Sequence, residues 1–476
     1  MMANNISNSD ETRINIDLIN GVATSILENP TSWSSSSIDD LGTGSICSIY
    51  RVPEFMRKRN EEAYRPFVLS IGPFYYGDPQ FKPMQEVKQI FLKLFLQHER
   101  NVHPDLDHYL NFAKLWENEI RAYYQEDIDL PSDEFIQMIV SDAVFIIYLF
   151  MVSSSQIPLK HPWIGNKLRV LLLYRSNDLI LLENQLPFFI LEKLYNEAFG
   201  IAFPNVSFRN ITLDYFGSAS ISGFKVAKSD IARKRIMEAK VIEHLVDFWR
   251  ICFLPQQLRN KESLNPNTDP TPNYPYPKFL HTIFAFRNHR NQQSGGRKFC
   301  RTAKELIAAG VKFIPSSDNA LNVKFNNGVL EIPKITVTDY AERFYFNLQL
   351  FEQYHNFKDS YFIDFIYFLE NLIDTAEDVK VLIENNMLVN MLGSEQQIAN
   401  LINKAGKNIY ITPKNYYYSD VTKKINAYAE SRKNRWRSIL KREYFKHPWA
   451  IISVIYAILL LLLTLAQTIA SFINKK

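Results

Sequence analysis

Apolar residues recur along most of this chain at the spacing that places them on one face of an α-helix. After Pro83, which suits the first turn of a helix, apolar side chains follow at positions 87, 90, 91, 94 and 95. Similar patterns predict helices over 105–126, 132–152, 163–182, 187–199, 231–253, 339–355, 359–374, 376–386, 394–404 and from about Ser419. We therefore predict a mainly α-helical protein with a multi-helix globular body.

Two stretches are apolar on nearly all sides, AVFIIYLFMV at 143–152 and DLILLENQLPFFIL at 178–191. A helix without a polar face belongs at the centre of a bundle. Further membrane spans do not fit these stretches, because each run is too short or too broken to cross a bilayer core of about 30 Å. We expect both stretches to be central helices.

The segment VKFNNGVLEIPKITV carries the strongest β-strand pattern in the chain. Asn327 and Gly328 separate two runs rich in β-branched residues, as in a tight hairpin. Pro333 cannot donate to a sheet, so it confines its strand to an edge or marks a break. The sequence therefore predicts a small β-hairpin near 322–337.

Composition divides the chain into segments. Residues 1–45 are polar and serine-rich, and 255–297 are rich in Pro, Asn, Gln and Ser. We predict a disordered arm (1–45), a first helical lobe (46–254), a flexible insertion (255–297), a second lobe with the hairpin and helices (298–431), a basic juxtamembrane segment (432–448) and a transmembrane helix (449–473).

The span predicted over 449–473 contains no ionisable acid or base. At 1.5 Å per residue such a helix is roughly 37 Å long, which exceeds the bilayer core of about 30 Å. A buried helix of a soluble core is the alternative, but core helices seldom run this long without a polar face. We expect a single-pass protein of the tail-anchor type.

Basic and aromatic residues crowd the N-terminal side of the span. The residues predicted at the membrane interface are Arg435, Trp436, Arg437, Lys441, Arg442, Lys446 and Trp449. Because positive charge favours the cytosolic side, the body is expected in the cytosol. The span suits the plasma membrane, which we favour, or the endoplasmic reticulum.

The net charge of +4 is concentrated beside this span. The rest of the chain sums to about −4, which argues against a nucleic-acid-binding body. The three cysteines are widely spaced, so they indicate neither a disulfide framework nor a four-cysteine zinc site. The expected partners are the lipid bilayer and an unknown protein.

Motifs for catalysis or cofactor binding are absent from the sequence. It contains no GxxxxGK[ST], no HExxH and no GxSxG. His103 and His108 are five residues apart, which does not place two ligands on one helical face. The sequence therefore predicts no catalytic residue, no cofactor and no metal site.

One polar group interrupts an apolar stretch: Glu183, Asn184 and Gln185, followed by Pro187. A carboxylate enclosed there could have a raised pKa and serve a catalytic site. The alternative is that these side chains tie together two helix ends separated by Pro187. We favour the structural interpretation, because buried polar groups are normally satisfied by neighbouring groups.

Several segments resemble, in order, the plant-specific family called domain of unknown function 247 (DUF247, of the UPF0481 type). They are IYRVPEFMRKRNEEAYRPFVLSIGPFYYG, LLENQLPFF, AKELIAAGVKF, FNNGVLEIP, FEQY, DVKVLIENNMLVNMLGSEQQIANLIN and YFKHPW. The positions shared with the family motifs are Pro53, Gly72, Pro73, Gly77, Glu183, Asn184, Gln185 and Pro187. The chain departs from the family at Ala143 and Val144, where members carry Gly-Cys, and at Tyr75 and Tyr76, where histidine is common.

The family has no agreed enzymatic activity, so the resemblance carries over no catalytic residue, and some grass members are implicated in self-incompatibility. Our leading hypothesis is a non-enzymatic, membrane-anchored plant protein that acts in recognition or signalling by binding a protein partner. The alternative is a membrane-associated enzyme that uses a buried carboxylate such as Glu183.

Overall fold

The structure is a computed structural model that describes residues 47–158, 177–218, 229–255, 258, 300–316, 321–355, 359–407, 409, 411, 416–431 and 448–473. The chain divides into two units, residues 1–47 and residues 48–476. The arm predicted over 1–45 lies outside the described residues. The second unit is mainly helical with two small sheets, as the sequence predicts.

A long apolar helix organises the chain before residue 256. The helices of this part are α1 (Glu54–Arg59), α2 (Lys82–Leu96), α3 (Leu106–Lys114), α4 (Glu117–Ala122), α5 (Ser132–Ser153), α6 (Phe188–Phe199), α7 (Phe208–Ser218), α8 (Asp230–Glu238) and α9 (Leu245–Phe253). Helices α2, α3, α6 and α7 all pack against α5. The central position predicted for 143–152 is therefore confirmed.

When only residues with described side chains are counted, α5 is the one helix that is long and apolar enough to cross a membrane. A shorter apolar run, Ile455–Ala470, follows later in the chain. The most apolar stretch of α5 is 89% buried inside the protein. Phe135, Phe145 and Phe150 on this helix are fully enclosed. This burial is what a core helix requires, because its apolar surface is removed from water by neighbouring helices.

Three predicted helices differ from the structure. The pattern over 105–126 forms two helices, α3 and α4, and the pattern over 231–253 forms α8 and α9. The second break lies where His244 caps α9, its Nδ1 accepting the N–H of Asp247 at 3.3 Å. The central helix predicted over 178–191 is wrong in its first half: residues 179–187 are an irregular buried loop, and α6 begins only after Pro187. Most of 163–182 lies outside the described residues.

Helices and short strands alternate after residue 300. They are α10 (Ala303–Ala308), β1 (Lys312–Ser316), β2 (Lys324–Asn326), β3 (Val329–Pro333), β4 (Ile335–Val337), α11 (Ala341–His355), α12 (Tyr361–Leu372), α13 (Ala376–Glu384), β5 (Leu388–Asn390), α14 (Glu395–Lys407) and α15 (Ser419–Glu430). The helices predicted here are confirmed within a few residues at their ends.

The predicted hairpin is confirmed as the antiparallel pair β2 and β3. Asn327 and Gly328 at its turn have φ of 49° and 81°, the left-handed conformation that a two-residue hairpin turn requires. Strand β1 adds to the other side of β3 in parallel, which the sequence did not predict. Pro333 ends β3, and β4 then pairs with β5 in a separate sheet, so the proline marks a break.

Residues before 256 and after 300 share one apolar core. Helix α11 packs against α9 and against the 3-10 turn Glu61–Ala63. The insertion predicted over 255–297 lies almost entirely outside the described residues, so the division into two lobes stays a prediction.

The last described element is α16 (Pro448–Ile473), which covers the apolar span that the sequence singles out. Its large apolar side chains are exposed: Ile452, Ile455, Tyr456, Ile458, Leu459, Leu460, Leu461, Leu462, Leu463, Leu465 and Ile469 are each between 50% and 68% exposed. In this respect α16 is the opposite of α5, although both helices are strongly apolar.

Candidate functional site

The buried loop 179–187 has no helix or strand to satisfy its backbone. Buried main-chain N–H and C=O groups require hydrogen-bond partners. Polar side chains of the loop and of distant segments supply these partners. We call the loop residues Glu183, Asn184 and Gln185, together with the groups bonded to them, the hub.

Glu183 joins the hub to the segment that contains α1. Its Oε1 accepts the N–H of Val52 at 2.7 Å and Nη2 of Arg57 at 2.5 Å, and its Oε2 accepts the hydroxyl of Tyr75 at 2.6 Å. Burial, and next the Glu183 carboxylate, raise the pKa of Tyr75, so its hydroxyl keeps the proton that it donates. The Glu183 side chain is 0% exposed, and both of its oxygens are engaged.

Asn184 and Gln185 bond mainly to backbone groups. Asn184 Oδ1 accepts the N–H of Ile71 at 2.7 Å, and its Nδ2 donates to the carbonyl of Leu69 at 2.9 Å. Gln185 Oε1 accepts the N–H of Leu245, the first residue of α9, at 2.9 Å, while its Nε2 donates to carbonyls of the loop itself. The two amides therefore fix the loop between the N-terminal segment and α9.

Gly72 lies between the hub and a buried ion pair. Its N–H donates to Asp142 on α5 at 2.8 Å, and the other oxygen of Asp142 accepts Lys88 Nζ at 2.5 Å. Burial raises the pKa of Asp142, and Lys88 and the Gly72 N–H oppose that rise. Gly72 has φ of 73°, and a Cβ there would lie 2.6 Å from the carbonyl oxygen of Gln185. Only glycine fits this position without a shift of the backbone.

Helix α11 reaches the same loop from the other end of the sequence. Asp178 accepts three successive backbone N–H groups and lies 3.5 Å from Nη1 of Arg343. Asn347 Oδ1 accepts the N–H of Leu182 at 2.9 Å, and its Nδ2 donates to the carbonyl of Ala63 at 2.8 Å. The hub therefore connects α11 to segments that precede it by more than 150 residues.

The remaining family-motif positions shape the backbone around the hub. Pro53 immediately precedes α1, and Pro73 opens the 3-10 turn that carries Tyr75. Gly77 has φ of 80° with open space around it, and Pro187 immediately precedes α6. All eight motif residues thus lie in the hub or in the segments that lead into it. The polar side chains of the Glu183 motif are satisfied by protein groups, as the structural interpretation expects, but they join the loop to distant segments and not two helix ends separated by Pro187.

Of the residues predicted at the membrane interface, the structure describes one, Trp449. Arg435, Trp436, Arg437, Lys441, Arg442 and Lys446 lie outside the described residues. Trp449 lies in the first turn of α16.

A pocket of about 400 Å³ is bordered by α8, α9 and the end of α11. Titratable side chains line much of it: Arg235, Glu238, Glu243, Asp247, Arg250 and His355. Val241 and Leu258, which are 58% and 53% exposed, add apolar surface. Glu183 is not among the lining residues, so the hub and this pocket are separate features.

Two buried titratable groups lie beside the pocket. Burial lowers the pKa of His244 to about 3, and its Nε2 lies 3.1 Å from the carbonyl oxygen of Ser48, so the neutral ring donates there. Burial raises the pKa of Glu352 to about 7, against the opposing charge of Arg250, whose Nε lies 3.7 Å from Oε1. The Glu352 oxygens also accept two N–H groups in the first turn of α12.

The comparisons with known proteins agree with the resemblance seen in the sequence. The family model described as a plant protein of unknown function, DUF247, matches residues 49–463. UPF0481 protein At3g47200 of Arabidopsis thaliana is 27% identical over 444 residues, covering 90% of this chain and 88% of the relative. Putative UPF0481 protein At3g02645 of the same plant is 22% identical over 483 residues, covering 88% and 89%. No solved structure matches the chain.

Proposed function

This chain belongs to the DUF247 family of plant proteins of unknown function, and we propose that it is a membrane-anchored, non-enzymatic protein whose body binds a protein partner. The observation that carries the anchor is the exposure of α16. Eleven large apolar side chains of that helix are at least half exposed. Leaving these side chains in water costs a free energy on the order of 10 kcal/mol relative to burying them, and a lipid core would bury them.

The length of α16 supports the same proposal. Its 26 residues extend roughly 39 Å at 1.5 Å per residue, more than the bilayer core of about 30 Å. Helix α5 provides the comparison within the same chain, because its apolar surface is covered by protein. Basic residues before α16 favour a cytosolic body, and we favour the plasma membrane over the endoplasmic reticulum.

The geometry of Glu183 supports a non-enzymatic body. The carboxylate accepts three hydrogen bonds from protein groups and has no exposed surface. A general base must reach the proton that it removes from a substrate, and the bonds of Glu183 are used instead to hold the segment of α1 and Tyr75. The enzyme alternative thus depends on a carboxylate, Glu183, whose oxygens already accept hydrogen bonds from the protein itself.

The pocket beside α9 supports the partner-binding part of the proposal. It combines exposed apolar side chains, Val241 and Leu258, with the charged Arg250 and Asp247, which form an ion pair at 3.2 Å. Protein interfaces typically place apolar side chains at the centre, enrich arginine and keep other polar groups at the rim. We assign the partner contact to this face of the body.

The anchor is tested with fluorescent fusions expressed in plant cells. The full chain is expected to stay with membranes through an alkaline carbonate wash, and the chain without residues 448–476 is expected to be released. A third fusion, with an unrelated span of equal length in place of α16, should be retained. Retention of the truncated chain would contradict the anchor.

Partner binding is tested separately by proximity labelling with the full chain. Val241→Asp should remove specific neighbours that the parent labels, whereas Met391→Asp, at another exposed apolar position (61% exposed), should keep them. Absence of reproducible neighbours would count against the partner. Loss of the biological phenotype in a Glu183→Gln variant that keeps its full thermal stability would favour the enzyme.

A further inference from the structure

A cluster of His103, His108 and Glu197 lies away from the hub and from the pocket. Nε2 of His108 is 2.8 Å from Oε1 of Glu197, and Nε2 of His103 is 3.4 Å from the same oxygen. The two imidazole rings stack with centroids 3.8 Å apart and planes inclined by 20°. Within the described ranges, this is the group of three potential ligands whose donor atoms all lie within 4.8 Å of one another.

The loop before α3 brings these residues together. Asn101 is buried, and its Oδ1 accepts both the N–H of His103, at 3.0 Å, and the hydroxyl of Tyr109. The N–H of Val102 donates to the carbonyl of Ala198 at 3.1 Å, which ties the loop to the end of α6 beside Glu197. Because His103 precedes α3 and His108 lies within it, the helical spacing rule does not separate them. The spacing does not place the two imidazoles on one helical face, but the loop before α3 nevertheless brings them into contact.

We propose that His103, His108 and Glu197 bind a divalent first-row transition metal ion, with Zn²⁺ as the representative. Two imidazoles and one carboxylate form a three-ligand set that zinc uses when water completes its tetrahedron. With bonds of about 2.0–2.1 Å, tetrahedral ligand atoms lie roughly 3.3–3.4 Å apart. The separation of His103 from Glu197, 3.4 Å, matches this edge, whereas the His108 separation of 2.8 Å must lengthen by roughly half an ångström on metal binding.

The surroundings allow the ion to enter. The three side chains are between 28% and 38% exposed, so solvent reaches the cluster and water can occupy the fourth position. The rings must tilt from their stacked arrangement to direct both lone pairs at one ion, and their exposure leaves room for this rotation. For both rings to bind the ion through Nε2, each neutral imidazole carries its proton on Nδ1. Mg²⁺ and Ca²⁺ prefer sites made entirely of oxygen, so the site selects against them.

The first test measures binding to the full chain, purified in detergent and stripped of metal with a chelator. We expect calorimetric titration with Zn²⁺ to give one site of this kind and Mg²⁺ to give none. His103→Ala, His108→Ala and Glu197→Gln should each weaken this zinc binding at least about tenfold. His98→Ala is the matched control, because His98 lies in the same region but outside the cluster, and it should bind zinc as the parent does.

The second test measures thermal unfolding, because a ligand that binds the folded state raises the apparent Tm. Zinc should raise the Tm of the parent and of His98→Ala, and excess chelator should reverse the rise. Circular dichroism of the variants without metal provides the folding control. Zinc binding that is absent from the parent, or that persists unchanged in the three cluster variants, would overturn the proposal.

Discussion

Replacing Glu183 by Gln tests whether the hub holds the fold together. Three donors point at this carboxylate, from Val52, Arg57 and Tyr75. The amide oxygen of glutamine can replace Oε1, but its NH₂ group then faces the Tyr75 hydroxyl, which already accepts a bond from Arg57 at 3.0 Å. The ion pair with Arg57 becomes a weaker bond from the charged guanidinium to a neutral amide oxygen, and the buried tyrosine proton loses its acceptor.

The size of the effect follows from these two losses. Weakening a charged hydrogen bond costs about 1 kcal/mol, and an unsatisfied buried hydroxyl costs about 1–3 kcal/mol. We therefore expect a destabilisation of about 2–4 kcal/mol. With an unfolding entropy of about 2.1 cal/mol/K per residue over roughly 400 residues, the Tm should fall by about 2–5 °C.

The assay is thermal unfolding of the detergent-solubilised full chain, followed by circular dichroism at one fixed scan rate. Tyr75→Phe should lower the Tm as well, and the double variant should lose less than the sum, because the two side chains share one contact. Glu126→Gln is the matched control, since Glu126 is 52% exposed and pairs with Arg51 at the surface, where ion pairs contribute little. If Glu183→Gln shifts the Tm no more than Glu126→Gln does, the structural role of the hub is refuted.

Three further predictions concern a glycine, two titratable groups and the anchor. Gly72→Ala should destabilise the fold by at least about 2 kcal/mol, measured as a lower Tm, because the methyl group meets a carbonyl at a positive φ. The pKa of Glu352 is about 7 instead of 4.5, so this group contributes stability that is lost as the pH rises through about 7. The pKa of His244 is about 3 instead of 6.5, so this group contributes stability that is lost as the pH falls through about 3. The two contributions oppose each other between pH 4.5 and 6.5, so Glu352→Gln should lose up to about 1.4 kcal/mol of unfolding free energy per pH unit on acidification across that window, measured as a falling Tm. Arginine at both Leu460 and Leu463 should raise the cost of membrane insertion by about 5–7 kcal/mol and reduce the carbonate-resistant fraction.

Each of these predictions has a control within the chain. Gly77→Ala should cost only about 1 kcal/mol, because its φ is also positive but no atom lies within 4 Å of the added methyl group. His244→Gln should reverse the pH trend of Glu352→Gln, and equal trends in both variants would contradict the assignment. Alanine at both Leu460 and Leu463 should keep the protein in membranes, since alanine adds no charge.

The helices and the hairpin could be predicted because their causes are local. The 3.6-residue period marks helices such as α2 and α14 directly, and Asn327 with Gly328 marks a turn that few other residues can form. Strand β1 was missed because it has only five residues, includes Pro315, and pairs in parallel with β3 and not with the next strand along the chain, β2. A short parallel strand leaves no alternation that distinguishes it from a loop.

The candidate sites were predictable only in part. The sequence singled out Glu183 because a polar group in an apolar stretch needs partners, but nothing in the pattern indicates that those partners include Val52 and Arg57. Hydrogen bonds from a side chain to backbone groups far along the chain leave no periodic pattern in the sequence. The His103 and His108 pair was missed for a different reason: the spacing rule assumes one continuous helix, and Asp105 caps the start of α3 between them.

The long connections made by α11 affect the timing of folding during synthesis. Asn347 bonds the carbonyl of Ala63, which precedes it by 284 residues. At about 5–20 residues per second, the ribosome needs roughly 15–60 s to travel that distance. During this interval the nascent segment around Ala63 lacks its α11 partner, so chaperones have a defined period in which to protect it before α11 is synthesised.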